Sequence, residues 1–294
     1  MSGAGLKNLR RERGRYDLSR RSDFGSLRSR VLRDKRMALQ LGLAPSTSHT
    51  NCDFFEVLDL ARKLGRVACD APAPPSRASQ VTQGYVRLHV GGALYRLVEG
   101  AQHRGQKVTF ATMAFRGGDV RPDELLHVDP RRWASQLKAD LDRVRKKLRL
   151  TGPGWSVFFL DCDYLQKEGL FLFHWHGFAT GSELAAVDAL RKLRKYKSPR
   201  QQADEERDLV NRRVVLKRKR LRNIGYLCLY VLKERWPSQP SARNQPGNRD
   251  RSYPRPMPAE LVPLERLFFD RWTIEDISVL RGLRVIKGRL TPTT

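Results

Sequence analysis

The chain has 294 residues, with 57 lysines and arginines against 31 acidic residues and a formal net charge of +26. A charge this far from neutral favours encounters with polyanions, so nucleic acid is the expected partner and an anionic membrane surface the weaker alternative. No apolar run approaches the roughly 20 residues of a membrane-spanning helix, and the first residues lack the apolar stretch of a secretory signal. The four cysteines are scattered without a C-x-x-C pair, which argues against a cysteine zinc site and favours a reducing, cytoplasmic setting.

Residues 1–50 are rich in arginine, serine, leucine and glycine and poor in aromatic and β-branched residues. Like charges at this density repel one another, so we expect a basic, disordered N-terminal arm or a loose helix. Contact with nucleic-acid phosphate needs only clustered cations. The arm is therefore interpreted either as a DNA-binding element or as a solvated tail.

Two elements are expected before residue 100. Residues 53–67 carry apolar side chains at helical spacing, with Asp53 placed as the N-cap. Residues 85–90 and 93–98 alternate in polarity on either side of Gly91 and Gly92, a pattern that predicts a β-hairpin.

The middle of the chain has the clearest order of elements. Residues 107–116 are expected to form a strand that ends at the glycine pair 117–118, and residues 155–163 and 170–179 form two further strands joined by a polar turn. Between the first two strands, residues 130–150 predict a basic amphipathic helix whose apolar face consists of Trp133, Leu137, Leu141, Val144 and Leu148. This order predicts an α+β fold with an antiparallel hairpin beside a crossover helix.

The rest of the chain divides into a helix, a charged segment, a second short helix, a linker and a tail, with bounds at residues 183–196, 197–220, 223–236, 237–258 and 259–294. The linker is rich in proline, serine, asparagine and arginine and is expected to be disordered. The tail is expected to form one or two helices or a small second unit. We therefore expect the main domain to span residues 51–236, with its core in residues 85–236.

A candidate metal site lies in residues 173–177, Phe-His-Trp-His-Gly. Side chains alternate along a strand, so His174 and His176 project from the same face. The preceding predicted strand carries Asp161 and Asp163, which are also two residues apart and can face the histidines across a hairpin. Two imidazoles with a carboxylate suit Mn²⁺ or Mg²⁺ better than a thiolate-type zinc site. An H-x-H pair alone also occurs in ordinary strands, and it is the acidic strand beside it that favours a metal site.

The predicted helix 223–236 carries Tyr226, Tyr230 and Lys233, which share one face at spacings of i, i+4 and i+7. A phenol with a pKa of about 10 is a poor nucleophile near neutral pH. A neighbouring ammonium lowers that pKa and can offset charge on an attacked phosphate. Tyrosines on a helix are also frequent in cores, so the prediction of chemistry depends on combining this helix with the histidine strand.

Taken in chain order, the strand at residues 109–113, the acidic strand, the histidine strand and the Tyr-x-x-x-Tyr-x-x-Lys helix resemble the HUH endonucleases. Among these, the chain is similar to the rolling-circle replication initiators of plasmids and phages, over about residues 85–236. The resemblance implies a ferredoxin-like domain with a central antiparallel sheet, and Mg²⁺ or Mn²⁺ held by His174, His176 and one aspartate. It implies nicking and rejoining of single-stranded or hairpin DNA at a replication origin through a covalent 5′-phosphotyrosine. No Walker-type motif is present, so unwinding requires a host helicase.

Two departures from the family's pattern leave residues open. Many HUH endonucleases carry a glutamate on the strand before the histidines, where this chain has Asp161 and Asp163; Asp163 is preferred as the third ligand because it lies nearer the turn. Members with two active tyrosines often have a lysine three residues after each, but Leu229 stands in that position after Tyr226. Tyr230 is therefore assigned as the main nucleophile, and Tyr226 stays a candidate for a second.

Two other functions stay open on the sequence. A transposase with two active tyrosines has the same chemistry as a replication initiator. A non-catalytic basic nucleic-acid-binding protein would also account for the charge, the N-terminal arm and the basic cluster at residues 217–220.

Overall fold

The computed structural model of the chain describes residues 27–43, 54–66, 76–197, 213–217, 219–240, 255–286 and 289–293. The N-cap predicted at Asp53, the remainder of the N-terminal arm, and most of the charged segment and of the linker lie outside these residues. Among the described helices, none is both long and apolar enough to cross a membrane.

Within the described residues, eight α-helices and eight strands are present. The helices are α1 (Leu27–Leu43), α2 (Phe54–Gly65), α3 (Gln80–Val86), α4 (Gly92–His103), α5 (Pro130–Lys147), α6 (Gly181–Ala189), α7 (Ile224–Tyr230) and α8 (Val262–Arg271). The strands are β1 (Thr109–Val120), β2 (Ser156–Leu165), β3 (Leu170–Ala179), β4 (Val214–Lys217), β5 (Ser238–Gln239), β6 (Ser278–Arg281), β7 (Leu283–Ile286) and β8 (Arg289–Pro292). The fold is therefore α+β, as the sequence predicts.

The central sheet has the order β4–β1–β3–β2, and the free edge of β2 is covered along one part by β6 and along another by β5. All of these pairs are antiparallel except β2 with β5. Helix α5 connects β1 to β2, β2 and β3 form a hairpin, and α6 lies between β3 and β4. The histidine-bearing strand β3 is thus an interior strand between β1 and β2, where both of its edges are hydrogen-bonded.

One face of the sheet packs against α5 and α6. Met113, Leu160 and Trp175 belong to the same buried cluster as Leu137 and Leu141 of α5, and Trp175 is only 1% exposed. Because side chains alternate along a strand, a slip of one residue in β3 would move Trp175 out of this cluster. The apolar packing therefore fixes the register that holds the histidines on the opposite face.

The opposite face packs against α4 and α7. Phe110, Val157 and Phe178 of the sheet share a second buried cluster with Leu94 of α4 and Leu227 of α7. Phe178 lies two residues after His176, so this is the face from which both histidines project. The candidate metal site is therefore buried beneath α4 and α7 rather than open on the surface of the sheet.

The predicted hairpin at residues 85–98 is wrong, because this segment is helical. Helix α3 continues through the π-helical turn Arg87–Gly91 into α4. The spacing of the buried residues in α4 is helical. Gly91 faces α7, and a Cβ at this position would lie 3.4 Å from Leu229 Cδ2. The glycine pair therefore lies within a continuous helical segment rather than in a turn.

The glycine pair at residues 117–118 also has a different role from the predicted one. Strand β1 does not end there but continues to Val120, with a shift of register against β3 between Ala114 and Asp119. Gly117 has a φ of +79°, and a Cβ on Gly118 would lie 2.8 Å from the Phe173 carbonyl oxygen. The pair therefore forms a bulge within the strand.

The predicted bounds are closest in the β2–β3 hairpin and α5. Strand β3 has the predicted bounds, and α5 ends at Lys147, which leaves Leu148 outside the helix and exposed. The helix expected at residues 183–196 is divided into α6 and two short 3₁₀ turns, and part of the charged segment forms β4.

Parts of both ends of the chain pack into the main domain. Within the predicted disordered arm, α1 is a packed helix: buried Asp34 accepts hydrogen bonds from Ser79 Oγ and from the first backbone N–H groups of α3. The linker contributes β5, which pairs with the end of β2. The predicted helical tail contains α8 but continues into β6, which joins the central sheet along β2, and into the β7–β8 hairpin. The tail is therefore part of the main domain rather than a second unit.

Candidate metal and tyrosine site

His174 and His176 face each other on β3, with their Nε2 atoms 2.8 Å apart. The Nδ1 atom of His174 lies 3.1 Å from the Leu172 carbonyl oxygen. A carbonyl only accepts hydrogen bonds, so Nδ1 of His174 carries the proton and Nε2 is left with its lone pair. His176 Nδ1 lies 2.9 Å from Thr112 Oγ1 on β1. Both rings are thus held by their outer nitrogens, the arrangement common to histidines that bind a metal through the inner one.

Asp161 completes a cluster of three ligand groups. It lies directly opposite His174 in the β2–β3 ladder, and its Oδ2 atom is 3.6 Å from His174 Nε2 and 3.4 Å from His176 Nε2. Its other oxygen accepts a hydrogen bond from the Cys162 backbone N–H at 2.8 Å. One ligand atom from each of Asp161, His174 and His176 lies within 4.8 Å of the others, and all three residues are buried.

The preference for Asp163 as the third ligand is corrected by this geometry. Asp163 lies opposite Leu172, one pleat farther toward the turn than the His174 pair. Directly opposed residues are the closest neighbours in a ladder, so it is Asp161 that reaches both imidazoles. The Asp163 carboxylate instead lies 3.5 Å from Lys233 Nζ.

Lys233 supplies a positive charge directly beside the cluster. Its Nζ atom is 2.5 Å from Asp161 Oδ2, and its side chain is only 13% exposed. Burial acts against ionisation of both groups, but their mutual attraction is larger than this effect. The Lys233 ammonium is the main cause that holds the pKa of Asp161 below its usual range. The charges of Asp161 and Asp163 raise the pKa of Lys233. Both groups are therefore charged at neutral pH.

The two histidines differ in charge state. Burial and the neighbouring His174 push the pKa of His176 well below its usual value. Burial also acts against protonation of His174, but the neighbouring carboxylates of Asp161 and Asp163 raise its pKa overall. One neutral imidazole, one readily protonated imidazole and a carboxylate thus share a single buried space.

Tyr230 lies against this cluster. Its ring centroid is 5.0 Å from that of His176, and Lys233 Nζ is 4.7 Å from the Tyr230 ring centroid. Helix α7 ends at Tyr230, so Lys233 approaches from the turn after the helix and not from the shared helix face that the sequence predicts. The expected neighbours meet, but by a different backbone path.

The Tyr230 hydroxyl is protonated in this arrangement. Burial is the largest influence and, with the Asp161 and Asp163 charges, raises the pKa of Tyr230 to about 12, although Lys233 acts in the opposite direction. The sequence predicts a lowered pKa from the lysine alone. Burial and the two carboxylates reverse that sign, so formation of a phenolate here requires additional positive charge.

A cavity of about 430 Å³ opens beside Tyr230, and we call it the Tyr230 cavity. Its lining includes Asp163, Tyr230 and Lys233 together with two arginines that the sequence does not single out, Arg235 and Arg255. Tyr226 packs on Tyr230 with ring centroids 5.7 Å apart but is not among the described residues that line this cavity. Thr112 lies in the strand at residues 109–113 and Arg235 lies two residues after Lys233, so each had a positional signal in the sequence, whereas Arg255 had none.

The cluster fits a divalent cation that accepts both nitrogen and oxygen ligands. Two imidazole nitrogens and one carboxylate oxygen converge. Neither of the buried cysteines among the described residues, Cys162 and Cys228, belongs to this cluster. No family model, curated protein or solved structure shows a significant match to the chain.

Proposed function

We propose that this protein is a divalent-metal-dependent DNA endonuclease and strand transferase of the HUH type, with Tyr230 as the nucleophile. The observation that carries the proposal is the position of the Tyr230 ring, 5.0 Å from the ring of His176 and beside an ammonium that also contacts Asp161. Tyr230 and Lys233 line one cavity, and three buried metal-ligand groups lie directly beside them. These are the parts that phosphoryl transfer to a phenol requires.

The topology supports the same proposal. The order β4–β1–β3–β2, with a helix in each crossover, is consistent with the proposed β-α-β-β-α-β ferredoxin-like motif. In the proposed HUH domain the histidines occupy an interior strand and the tyrosine a helix that covers them. The use we propose is initiation of rolling-circle replication at an origin in the cytoplasm, with unwinding by a host helicase; a transposase would use the same chemistry.

The residues of the chain divide the reaction between them. The phenolic oxygen of Tyr230 forms a bond to phosphorus as the bond from phosphorus to the 3′-oxygen of the preceding nucleotide breaks. The phenolic proton leaves to water in the cavity, and the departing 3′-oxygen takes up a proton. Attack by a free 3′-hydroxyl on the 5′-phosphotyrosine reverses the step and rejoins the strand.

Lys233 and the ligand cluster supply the electrostatics of this reaction. The Lys233 ammonium lies close enough to the Tyr230 ring to favour the phenolate and to offset charge on a phosphate in the cavity. His174, His176 and Asp161 would hold Mg²⁺ or Mn²⁺, which would polarise the phosphate and add the positive charge that a buried phenolate needs. Thr112 and the Leu172 carbonyl orient the two rings and act as positioning groups.

The test is formation of a covalent adduct. The protein is incubated with Mn²⁺ and a random-sequence library of single-stranded oligonucleotides, and adducts that survive denaturant are isolated and mapped to one tyrosine by mass spectrometry. We expect an adduct on Tyr230 that Tyr230→Phe abolishes and that Tyr85→Phe, at a tyrosine outside the site, retains.

Three outcomes would contradict parts of the proposal. Absence of any adduct from the wild-type protein would overturn the enzymatic function and leave a basic nucleic-acid-binding protein. An adduct that persists in Tyr230→Phe but disappears in Tyr226→Phe would overturn the choice of nucleophile. Survival of cleavage in a His174→Ala/His176→Ala variant would overturn the metal site.

A further inference from the structure

A second cavity of about 560 Å³ lies between α1 and the start of α8, and we call it the α1 groove. Exposed Arg33 and Arg36 of α1 are part of its lining, and its apolar lining includes the half-buried Met37 and Met257. Its size is that of a cleft for a small ligand, which corresponds to one or two nucleotides rather than a duplex.

The α1 groove adjoins the Tyr230 cavity. Arg235, Met257 and Val262 line both spaces. Arg235 lies two residues after Lys233 in the chain. The two cavities therefore adjoin at the Arg235 side chain, which lies between the cavity of the nucleophile and the groove that contains the exposed arginines of α1.

The exposed arginines of α1 differ from Arg30, which is the buried arginine of the same helix. Arg30 is buried on α1 and forms an ion pair with Glu234 at 2.9 Å. Arg33, Arg36 and Arg235 are exposed, and none of them forms an ion pair with a carboxylate among the described residues. Helix α1 therefore anchors through Arg30 and presents uncompensated positive charge on the side that faces the groove.

We propose that the α1 groove binds the single strand that flanks the phosphate at Tyr230, with Arg33 and Arg36 on phosphates and the methionine side chains against sugars or bases. This inference rests on the proposed function. A strand is a continuous polymer, so nucleotides next to the reacting phosphate must leave the Tyr230 cavity through an adjoining opening. The α1 groove is such an opening, and its exposed cations and apolar lining match a single strand.

The experiment compares two variants that lose the same charge. Binding of a fluorescent 20-nucleotide oligothymidylate is followed by anisotropy over a range of salt concentrations, using Arg33→Ala/Arg36→Ala and, as control, Lys146→Ala/Lys147→Ala at exposed positions on α5 that line neither cavity. Loss of two phosphate contacts should reduce the slope of log affinity against log salt by roughly 1.4 and weaken binding in the arginine variant. The control should retain the wild-type slope.

Arg33→Lys/Arg36→Lys keeps both charges on the exposed helix surface and should recover most of the slope, which separates loss of contact from loss of folding. An equal loss of slope in Arg33→Ala/Arg36→Ala and in the control Lys146→Ala/Lys147→Ala would overturn the assignment of the groove. Binding to vesicles that contain phosphatidylserine is measured in parallel. If Arg33→Ala/Arg36→Ala binds these vesicles less well but binds oligothymidylate normally, the groove is a membrane surface and not a nucleic-acid site.

Failure of the proposed function has a separate signature. If the wild-type protein forms no adduct but Arg33→Ala/Arg36→Ala still loses slope selectively, the groove is a nucleic-acid site and the nuclease assignment is wrong. If adducts form and the arginine variant binds like the wild type, the nuclease assignment stands and the groove is wrong.

Discussion

Lys233 Nζ lies 2.5 Å from Asp161 Oδ2, so the ammonium occupies one side of the same carboxylate oxygen that faces both imidazoles. A divalent cation bound by the three ligand groups would share Asp161 with this ammonium and be repelled by it. Lys233 therefore has two opposing effects in the proposed site: it weakens metal binding and stabilises the negative charge of the reaction.

Replacing Lys233 separates these two effects. Unit charges about 4 Å apart interact by ~4 kcal/mol at an effective dielectric constant near 20, so removing the ammonium should tighten Mn²⁺ binding by at least about tenfold. We expect Lys233→Met to bind Mn²⁺ more tightly in isothermal titration calorimetry at mildly alkaline pH, yet to form the adduct more slowly.

The matched control is Lys107→Met, at an exposed lysine outside the site, which should leave both quantities unchanged. Weaker Mn²⁺ binding in Lys233→Met would mean that the lysine supports the ligand cluster rather than competing with the ion.

The identity of the third ligand gives a second prediction. Asp161→Asn should reduce Mn²⁺ affinity by more than about 100-fold, since even groups that only orient metal ligands account for roughly 10- to 100-fold. Asp163→Asn removes a carboxylate that lies beside Lys233 but outside the ligand cluster. Because Asp163 is not a ligand, this change should reduce Mn²⁺ affinity by less than about tenfold. A larger loss in Asp163→Asn than in Asp161→Asn would restore the original preference for Asp163.

The protonated state of Tyr230 gives a third prediction. At about pH 10.5 a tyrosine with the reference pKa of about 10 is roughly three-quarters ionised, whereas Tyr230, with its pKa raised to about 12, should carry almost no charge. The phenolate absorbance of the native wild type should therefore equal that of Tyr230→Phe at this pH.

Unfolding in denaturant supplies the control for this titration. Without burial, Tyr230 should ionise normally, and the wild type should then show the absorbance of most of one additional phenolate. A difference of that size already present in the native proteins would mean that burial does not raise the pKa of Tyr230.

The face shared by His174 and His176 could be predicted because alternation along a strand depends on local sequence alone. The third ligand could not, because Asp161 and Asp163 share a face and only the register of the β2–β3 hairpin decides between them. That register follows from the turn that pairs Leu165 with Leu170, a detail that the polar composition of the turn leaves open.

The segment at residues 85–98 illustrates a second limit of local sequence patterns. Alternating and helical spacings coincide over such short stretches, and a Gly-Gly pair is compatible with a turn as well as with close helix packing. Burial of Leu94, Tyr95 and Val98 against the sheet and α7 decides in favour of the helix. The packing of α1 was likewise beyond prediction, because the partners Arg30 and Glu234 are 204 positions apart.

Glu234 gives the last prediction, which concerns stability. Its carboxylate oxygen Oε1 lies 2.9 Å from Arg30 Nη1 and 2.8 Å from Arg87 Nη1. Because Glu234 directly follows Lys233 in the chain, these ion pairs connect the segment after α7 to α1 and to the helical segment before α4. Burial acts against ionisation, but the two guanidinium groups outweigh it and lower the pKa of Glu234. Because the folded-state pKa is the lower one, this stabilisation is present above the unfolded pKa of about 4.3 and is lost as the pH falls through the folded pKa.

We therefore expect Glu234→Gln to lower the free energy of unfolding by about 2 kcal/mol at neutral pH, the cost of losing hydrogen bonds to charged partners. In urea titrations the difference from the wild type should shrink as the pH falls below about 4, where both proteins lack the charge. Asp123→Asn, at an exposed carboxylate, should match the wild type throughout. A Glu234→Gln deficit that stays constant from neutral to acidic pH would show that the contact stabilises the fold through packing, and that its charge contributes nothing.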